Sequence, residues 1–264
     1  MVELAVPISY LFGSSSLAKE VIAKGYCLEC REESLESKEP KQYLFHFDKD
    51  IAHPWEREEK ESISLSIQSK KELKLVSFHM AASCSRPVLK EGVFYCGGIR
   101  YSKEDMLNNA RDNAEWLKDI IADRGIEIAL ENNNYYPTPA YEYVTDPDFI
   151  SDIVYKNGIK FLFDLAHARI TSHNRQIPYD RYLKGLPLER MIQIHISKHE
   201  IDGKDLAYDA HELPDGSILQ EAKSIIQEFT PKYVTVEYYK DKEKLIEILE
   251  KLKTACTEPE RQKI

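Results

Sequence analysis

The stretch Lys160-Phe-Leu-Phe-Asp-Leu-Ala-His167 decides the fold. After Lys160, Phe161-Leu-Phe163 forms a short apolar run without polar alternation, as in a strand buried on both faces of a helix-covered parallel sheet. The run stops at a carboxylate, Asp164, and His167 follows three residues later. The same figure recurs along the chain. Glu127–Leu130 leads into Glu131, Met191–Ile196 contains His195, and Tyr233–Val236 leads into Glu237. Upstream, Tyr43–Phe47 contains His46 and Leu73–Phe78 leads into His79. Leu4–Ile8 and Tyr26–Glu29 complete a set of eight candidate strands.

Amphipathic segments separate these runs. Glu104–Arg124 places Met106, Ala110, Ala114, Leu117, Ile120 and Ile121 on one helical face. Ser217–Phe229 and Lys242–Lys253 have the same period. Asp146-Pro147 predicts another helix, with Asp as N-cap and Pro at the first helical position. Repeated strand–helix order implies a parallel sheet. Eight such units suit a closed (β/α)₈ TIM barrel, for which about 250 residues is typical. An open doubly wound sheet would carry a Gly-rich phosphate loop after its first strand, and none is present. The expected organisation is one barrel over 1–256, with a flexible tail at 257–264. Charged loops are expected at Ser34–Pro40 and Trp55–Lys60, and a longer loop at Ser85–Arg100.

Composition narrows the function. The 264 residues include 36 Lys+Arg and 45 Asp+Glu, a net charge of −9, with 42% hydrophobic residues. This is a globular composition, not a disordered one. No stretch approaches the roughly 18 uncharged apolar residues that a membrane helix needs, so no membrane association is expected. MVELAVPISYLF has no basic n-region and carries Glu3, so it does not read as a secretory signal. With only five Cys, a reducing, cytoplasmic setting is expected. The acidic balance and the lack of a basic run with interleaved aromatics argue against nucleic acid as a partner.

In a parallel barrel all strand C-termini meet at one face, which carries the active site. His46, His79, Glu131, Asp164, His167, His195 and Glu237 would therefore converge, joined by Asp209 and His211 after the seventh strand. A lone His at a strand end is usually an ordinary polar terminus, and a lone Asp or Glu often caps the next helix. Nine such residues on six consecutive strand ends are hard to treat as independent. Clustered carboxylates repel unless cations compensate them, and mixed His/Asp/Glu sets bind zinc, iron or manganese. Nine candidates exceed one ion's needs, so two or three ions are expected.

The order His, His, Glu, Asp-x-x-His, His, Asp-x-His, Glu resembles the xylose isomerase-like barrel superfamily, and endonuclease IV has the same ligand order. A narrower resemblance is to the multinuclear non-haem iron-dependent oxidative enzymes. It rests on Leu75-Val-Ser-Phe-His79, Leu130-Glu-Asn-Asn133, Leu162-Phe-Asp-Leu-Ala-His-Ala168, Tyr182-Leu-Lys-Gly-Leu-Pro-Leu-Glu-Arg-Met-Ile-Gln-Ile-His-Ile-Ser197 and Asp209-Ala-His211. It covers about residues 5–250. Two departures stand out. Ala166 takes the place where many oxidative members have Asn, leaving His167 as the endonuclease-like choice for a third metal position. Ser197-Lys198-His199 replaces a common Gly. The endonuclease's Asp-Arg-His, and its Cys before the strand-six His, are absent.

The resemblance implies three metal positions. One is held by Glu131, Asp164, His195 and Glu237, the residues expected to carry the catalysis. A second is held by His46 and His79 with Glu131 bridging, and a third by His167, Asp209 and His211. It implies two or three Fe ions, with Zn or Mn as alternatives. The implied activity is O₂-dependent oxidation of a cysteine in a ribosomally made peptide, with a partner peptide-binding protein alongside. The competing enzyme readings are a zinc or manganese phosphodiester hydrolase like endonuclease IV, with Arg86, Arg100, Arg169 and Lys198 on the phosphates, and a sugar isomerase. A metal-binding protein without activity is the non-enzyme alternative. Asn132, Arg169 and Lys198 are the candidate substrate contacts. Asn133, Tyr135 and Tyr136 either join them or cap the next helix and cover the barrel mouth.

Cys27 and Cys30 are three apart on a strand and so face opposite ways, as ordinary buried thiols. Cys84 reads as an incidental thiol. His53, His173 and His199 read as loop residues. His46 is preferred to His53 because it ends an apolar run, whereas His53 precedes Pro54.

Overall fold

In the computed structural model, which describes residues 2–13 and 15–257, the chain alternates strand and helix almost throughout. In chain order the elements are β1 (Glu3–Pro7), α1 (Ser15–Ala23), β2 (Cys27–Cys30), β3 (Gln42–Asp50), α2 (Arg57–Ser69), β4 (Leu75–His79), β5 (Val88–Lys90), β6 (Val93–Tyr95), α3 (Lys103–Ile121), β7 (Glu127–Glu131), α4 (Pro147–Lys156), β8 (Lys160–Asp164), α5 (Leu165–Arg175), α6 (Tyr179–Gly185), β9 (Met191–Ile196), β10 (Lys198–Ile201), β11 (Ala207–Glu212), α7 (Gly216–Phe229), β12 (Tyr233–Val236) and α8 (Lys242–Thr257). The strands β1, β2, β3, β4, β7, β8, β9 and β12 follow one another around a closed barrel, and β12 pairs in parallel with β1 to shut it. This is the (β/α)₈ TIM barrel expected from the alternation of apolar runs and amphipathic segments.

The barrel interior explains where polar groups go. One layer is built from one side chain of each barrel strand: Ala5, Cys27, Leu44, Leu75, Ala129, Leu162, Ile192 and Tyr233. Strand side chains alternate, so residues an even number of positions further on face the interior again. Cys27 is followed by Glu29, Leu44 by His46, Ala129 by Glu131, Leu162 by Asp164, and Tyr233 by Thr235 and Glu237. On β9, a register shift against β8 puts Gln193 beside Leu162 and His195 beside Asp164. A dry apolar plug therefore lies under a polar layer at the C-terminal ends of the strands. Cys27 belongs to the inner layer and Cys30 to the outer core, where its thiol donates to Gln42 Oε1 at 3.0 Å. The two thiols do face opposite ways.

The helices pack their apolar stripes on the outside of the barrel. α3 starts at a reciprocal cap, in which Ser102 Oγ accepts from Asp105 N–H and the Asp105 carboxylate accepts from Ser102 N–H. It buries Met106, Ala110, Ala114, Leu117 and Ile121. α4 does begin at Pro147 after Asp146, but the Asp146 side chain makes no cap bond; it pairs with Arg175 Nη1 at 2.7 Å.

Several expectations need correction. Trp55–Lys60 is not a charged loop. Trp55 is buried, donates Nε1–H to Asp50 O and packs on Phe78, and Arg57 opens α2. The acidic residues there form the solvated first turn of that helix, where negative charge suits the helix dipole. The third strand runs three residues past Phe47, to Asp50. Ser85–Arg100 is not all loop but holds the β5–β6 hairpin; Asp209 and His211 sit on β11 of a second hairpin. The tail expected at 257–264 lies, from residue 258 on, outside the described residues. Among the described residues no helix is long and apolar enough to cross a membrane.

Candidate metal centre

The polar layer gathers the strand-end residues around Glu131. Glu131 Oε2 lies 2.9 Å from His79 Nδ1 and 3.4 Å from His46 Nε2, while its Oε1 lies 3.0 Å from His195 Nδ1. His195 Nδ1 is also 3.5 Å from Glu237 Oε1 and 3.9 Å from Asp164 Oδ2. Two groups follow in which one ligand atom per residue lies within 4.8 Å of the others: His46 with His79 and Glu131, and Glu131 with Asp164 and His195. His46, His195, Glu131, Asp164 and Glu237 are all buried. A third set is looser. His167 Nε2 and His211 Nε2 lie 3.3 and 3.2 Å from Asp209 Oδ2, and His211 Nε2 is 3.5 Å from Glu237 Oε2. All nine strand-end and hairpin residues singled out in the sequence thus meet at one face.

Neighbouring backbone and hydroxyl groups fix the rings. His46 Nδ1 is 2.8 Å from Ser77 Oγ, which leaves Nε2 for the centre. His167 Nδ1 donates to Asn132 O at 2.9 Å, which likewise turns Nε2 inward. Asp164 has two tasks: Oδ1 accepts from His167 N–H at 2.6 Å as the N-cap of α5, and Oδ2 faces His195.

Two observations bear on whether cations belong here. Glu131 Oε2 and His195 Nδ1 are buried and have no hydrogen-bond partner, although charged atoms lie within 3 Å of each. Glu131, Asp164 and His195 each offer a ligand atom within 4.8 Å of the others, a spacing that a shared ion would fit. The second is charge. Glu29, Glu131, Asp164 and Glu237 are four buried carboxylates, Asp209 is a half-buried fifth beside them, and among the described residues Arg31 is the one guanidinium lining the cavity with them. Without further cations the histidines must take up protons. Burial disfavours the charged form of His79, but the Glu131 and Asp48 carboxylates outweigh it and raise His79 to about 9. His46, buried and facing Arg31, falls to about 4. Burial raises Asp164 to about 7, helped by Glu131 and Glu237 against the opposing charge of His167. Burial works against the charge on Glu131 too, yet His46 and His79 hold it well below the ordinary carboxylate range. Divalent ions would satisfy this layer directly, so the residues present fit a multinuclear metal site.

A cavity of about 970 Å³ opens above this layer. Its floor includes His46, His79, Glu131, His167, Asp209 and Glu237. Its walls come from the β1 and β2 ends, including Arg31 and Glu33, and Tyr239 closes one side.

Three candidate substrate contacts sit elsewhere. Asn132 is buried and spends its amide on the Asp164 backbone, donating to Asp164 O at 2.9 Å and accepting from Asp164 N–H at 2.8 Å. Arg169 pairs with Glu221 and stacks on Tyr179, and Lys198 pairs with Asp215 at 3.3 Å. Neither lines the cavity. Arg100 pairs with Glu142. His53 Nε2 donates to Ala82 O at 2.6 Å, and His173 pairs with Asp205 at 3.2 Å. Tyr136 is buried against Tyr141, and Asn133 reaches Ala81 O, so both cover the barrel mouth.

Two residues in the layer went unread in the sequence. Glu29 is fully buried and reaches His195 Nε2 at 3.1 Å, and Arg31 bridges Glu29 and Glu237. The signal was available: Tyr26–Glu29 ends in a carboxylate as the later strands do.

A family model described as the RiPP precursor modification enzyme MbnB/TglH/ChrH matches residues 63–257. Curated relatives include a UPF0276 protein of Shewanella loihica, 28% identical over 133 residues, which are 47% of this chain and 46% of that one. Another is a UPF0276 protein of Caulobacter vibrioides, 28% identical over 87 residues, 33% of this chain and 31% of the relative. The chain spans about half the length, or less, of these relatives. Among solved structures, an E. coli 3-keto-D-glucoside 4-epimerase superposes with a TM-score of 0.62 at 13% identity, covering 95% of this chain and 100% of that one. A Brucella melitensis AP endonuclease, family 2, gives 0.61 at 14%, covering 95% and 99%. These structures share the barrel fold of this chain.

Proposed function

The chain belongs to the family of RiPP precursor modification enzymes MbnB/TglH/ChrH, and on that premise we propose that it is a multinuclear iron enzyme that uses O₂ to oxidise a cysteine of a ribosomally made precursor peptide. The observation that carries the reading is the position of Glu131. Its two oxygens face different histidine sets, His46 with His79 on one side and His195 on the other. A carboxylate so placed suits a bridge between two ions.

In this reading Glu131, Asp164, His195 and Glu237 hold one ion and His46, His79 and Glu131 hold the next. His167, Asp209 and His211 hold a third. Bound iron supplies one-electron chemistry with O₂ and lowers the pKa of a coordinated thiol. The chain's own residues do the rest. The cavity above the layer falls within the usual range of about 300–1,000 Å³ for a ligand site, enough for a peptide side chain and its flanking backbone. The apolar plug beneath keeps water out from below. Asn132 and Ser77 hold Asp164 and His46 in place before any ligand arrives.

The hydrolase reading is weaker. Among the described cavity-lining residues Arg31 is the only Arg or Lys, and it is already paired with Glu29 and Glu237. A phosphodiester substrate needs cations left over for its phosphates. The test is aerobic turnover of iron-loaded protein with a cysteine-containing peptide encoded beside its gene. O₂ uptake with a matching mass change of the peptide, abolished by Cys→Ser in the peptide, supports the reading. Iron-loaded protein that takes up no O₂ with such a peptide contradicts it.

A further inference from the structure

Glu29 belongs to none of the three ligand sets, yet it is the point on which one of them rests. Its Oε2 accepts from His195 Nε2 and from Thr235 Oγ1, both at 3.1 Å, and from Gln193 Nε2. Its Oε1 accepts from Arg31 Nη2 at 2.6 Å. Both oxygens are thus engaged, and the whole side chain is buried. On the far side of the same imidazole, His195 Nδ1 lies among Glu131, Glu237 and Asp164 and makes no hydrogen bond. Glu29, His195 and Glu237 are themselves close enough to form a ligand group. Arg31 argues against that use, because its guanidinium already sits between Glu29 and Glu237 and would be pressed against a second cation.

We infer that Glu29 is a positioning residue: it holds the His195 Nε2–H, leaves Nδ1 as the ligand atom, and with Arg31 also fixes Glu237. A carboxylate behind a ligating histidine orients the ring and raises its basicity. The geometry is local. His46 is backed instead by the neutral Ser77 hydroxyl, and the Asp48 carboxylate stands 3.7 Å from His79 Nε2. This inference rests on the metal reading proposed above and assigns a cause to one position within it.

The test is Glu29→Gln, loaded with iron(II) alone in the absence of air, with affinity read by competition against a chromophoric chelator and the iron environments read by Mössbauer spectroscopy. Gln keeps the size and one acceptor but removes the charge. The expected result is about 10–100-fold weaker binding at the Glu131/Asp164/His195/Glu237 position, the range typical for loss of such a partner. Only one iron environment should change, and the position served by His46 and His79 should keep its affinity. Thr235→Val, which removes a hydroxyl bonded to Glu29 without touching the imidazole, should give a smaller loss at the same position, and it decides the matter if Glu29→Gln does not fold. A folded Glu29→Gln protein with wild-type affinity and spectrum overturns the inference while leaving the metal reading intact. So does a loss shared equally by both positions, which a merely structural role would produce. Wild-type protein that takes up no iron overturns both.

Discussion

Substituting Glu131 by Gln should disable two metal positions at once. Its Oε2 serves His46 and His79 and its Oε1 serves His195, at 2.9–3.4 Å. The change keeps the shape and removes the only carboxylate the two positions share. Loss of a partner that merely orients a ligand weakens metal binding about 10–100-fold, so loss of a charged bridging ligand should cost at least about 100-fold at each position. The consequence can be read as stability. At 100 times its dissociation constant a ligand stabilises the folded state by about 2.7 kcal/mol per site. For a chain of this size about 2–4 °C of melting temperature accompanies each kcal/mol, so each wild-type site should add about 5–11 °C. A 100-fold weaker site at the same metal concentration adds only RT ln 2, about 0.4 kcal/mol, or about 1 °C. The assay is a pair of melting curves, with and without metal, for wild type, Glu131→Gln and His79→Asn. Of the shift due to the two positions that share Glu131, His79→Asn should lose about half and Glu131→Gln nearly all. If Glu131→Gln keeps the full shift and the wild-type metal content, the bridging role is wrong.

Three further outcomes follow from particular contacts. Asn132→Ala strands the buried N–H and C=O of Asp164, and should lower stability by about 2–4 kcal/mol in denaturant unfolding as well as weaken metal uptake. Arg169→Ala should lower stability by about 1 kcal/mol, because the Arg169 side chain is itself 38% exposed to water, and should leave metal content and peptide KM unchanged; a raised KM would restore Arg169 as a substrate contact. Cys27 and Cys30 should stay unreactive to a thiol reagent until the protein unfolds, since burial raises both thiols, Cys30 to about 12. A mass shift showing a bond between them would contradict the opposite-face placement.

The barrel was legible because its strands are buried on both faces. Phe161–Phe163 is a continuous apolar run and Met191–Ile196 is broken only by Gln193 and His195, and the carboxylate or histidine near their ends marks the level where the apolar plug gives way to the polar layer. Edges were read less well where one face meets solvent. Arg57–Glu61 is as polar as a loop because it is the exposed start of a helix, and only the burial of Trp55 just before it shows that the segment is anchored. In the candidate site, residues that point at the centre could be found from strand ends. Residues that act from behind could not, because their role depends on which strands are neighbours. Glu29 reaches His195 across a separation of 166 residues, and Arg31 reaches Glu237 across 206. Arg169 and Lys198 failed for the converse reason: sequence placed them near the right face, but Glu221 and Asp215 hold their charges elsewhere.

We propose that the strand-end residues hold two or more iron ions around Glu131. The measurement that tests it most directly is the metal content of the wild-type protein isolated and kept without air. Two or three irons per chain, falling sharply in Glu131→Gln, is the predicted result. Protein that carries no metal, or carries zinc alone and does not bind iron(II) when offered it, would contradict the account.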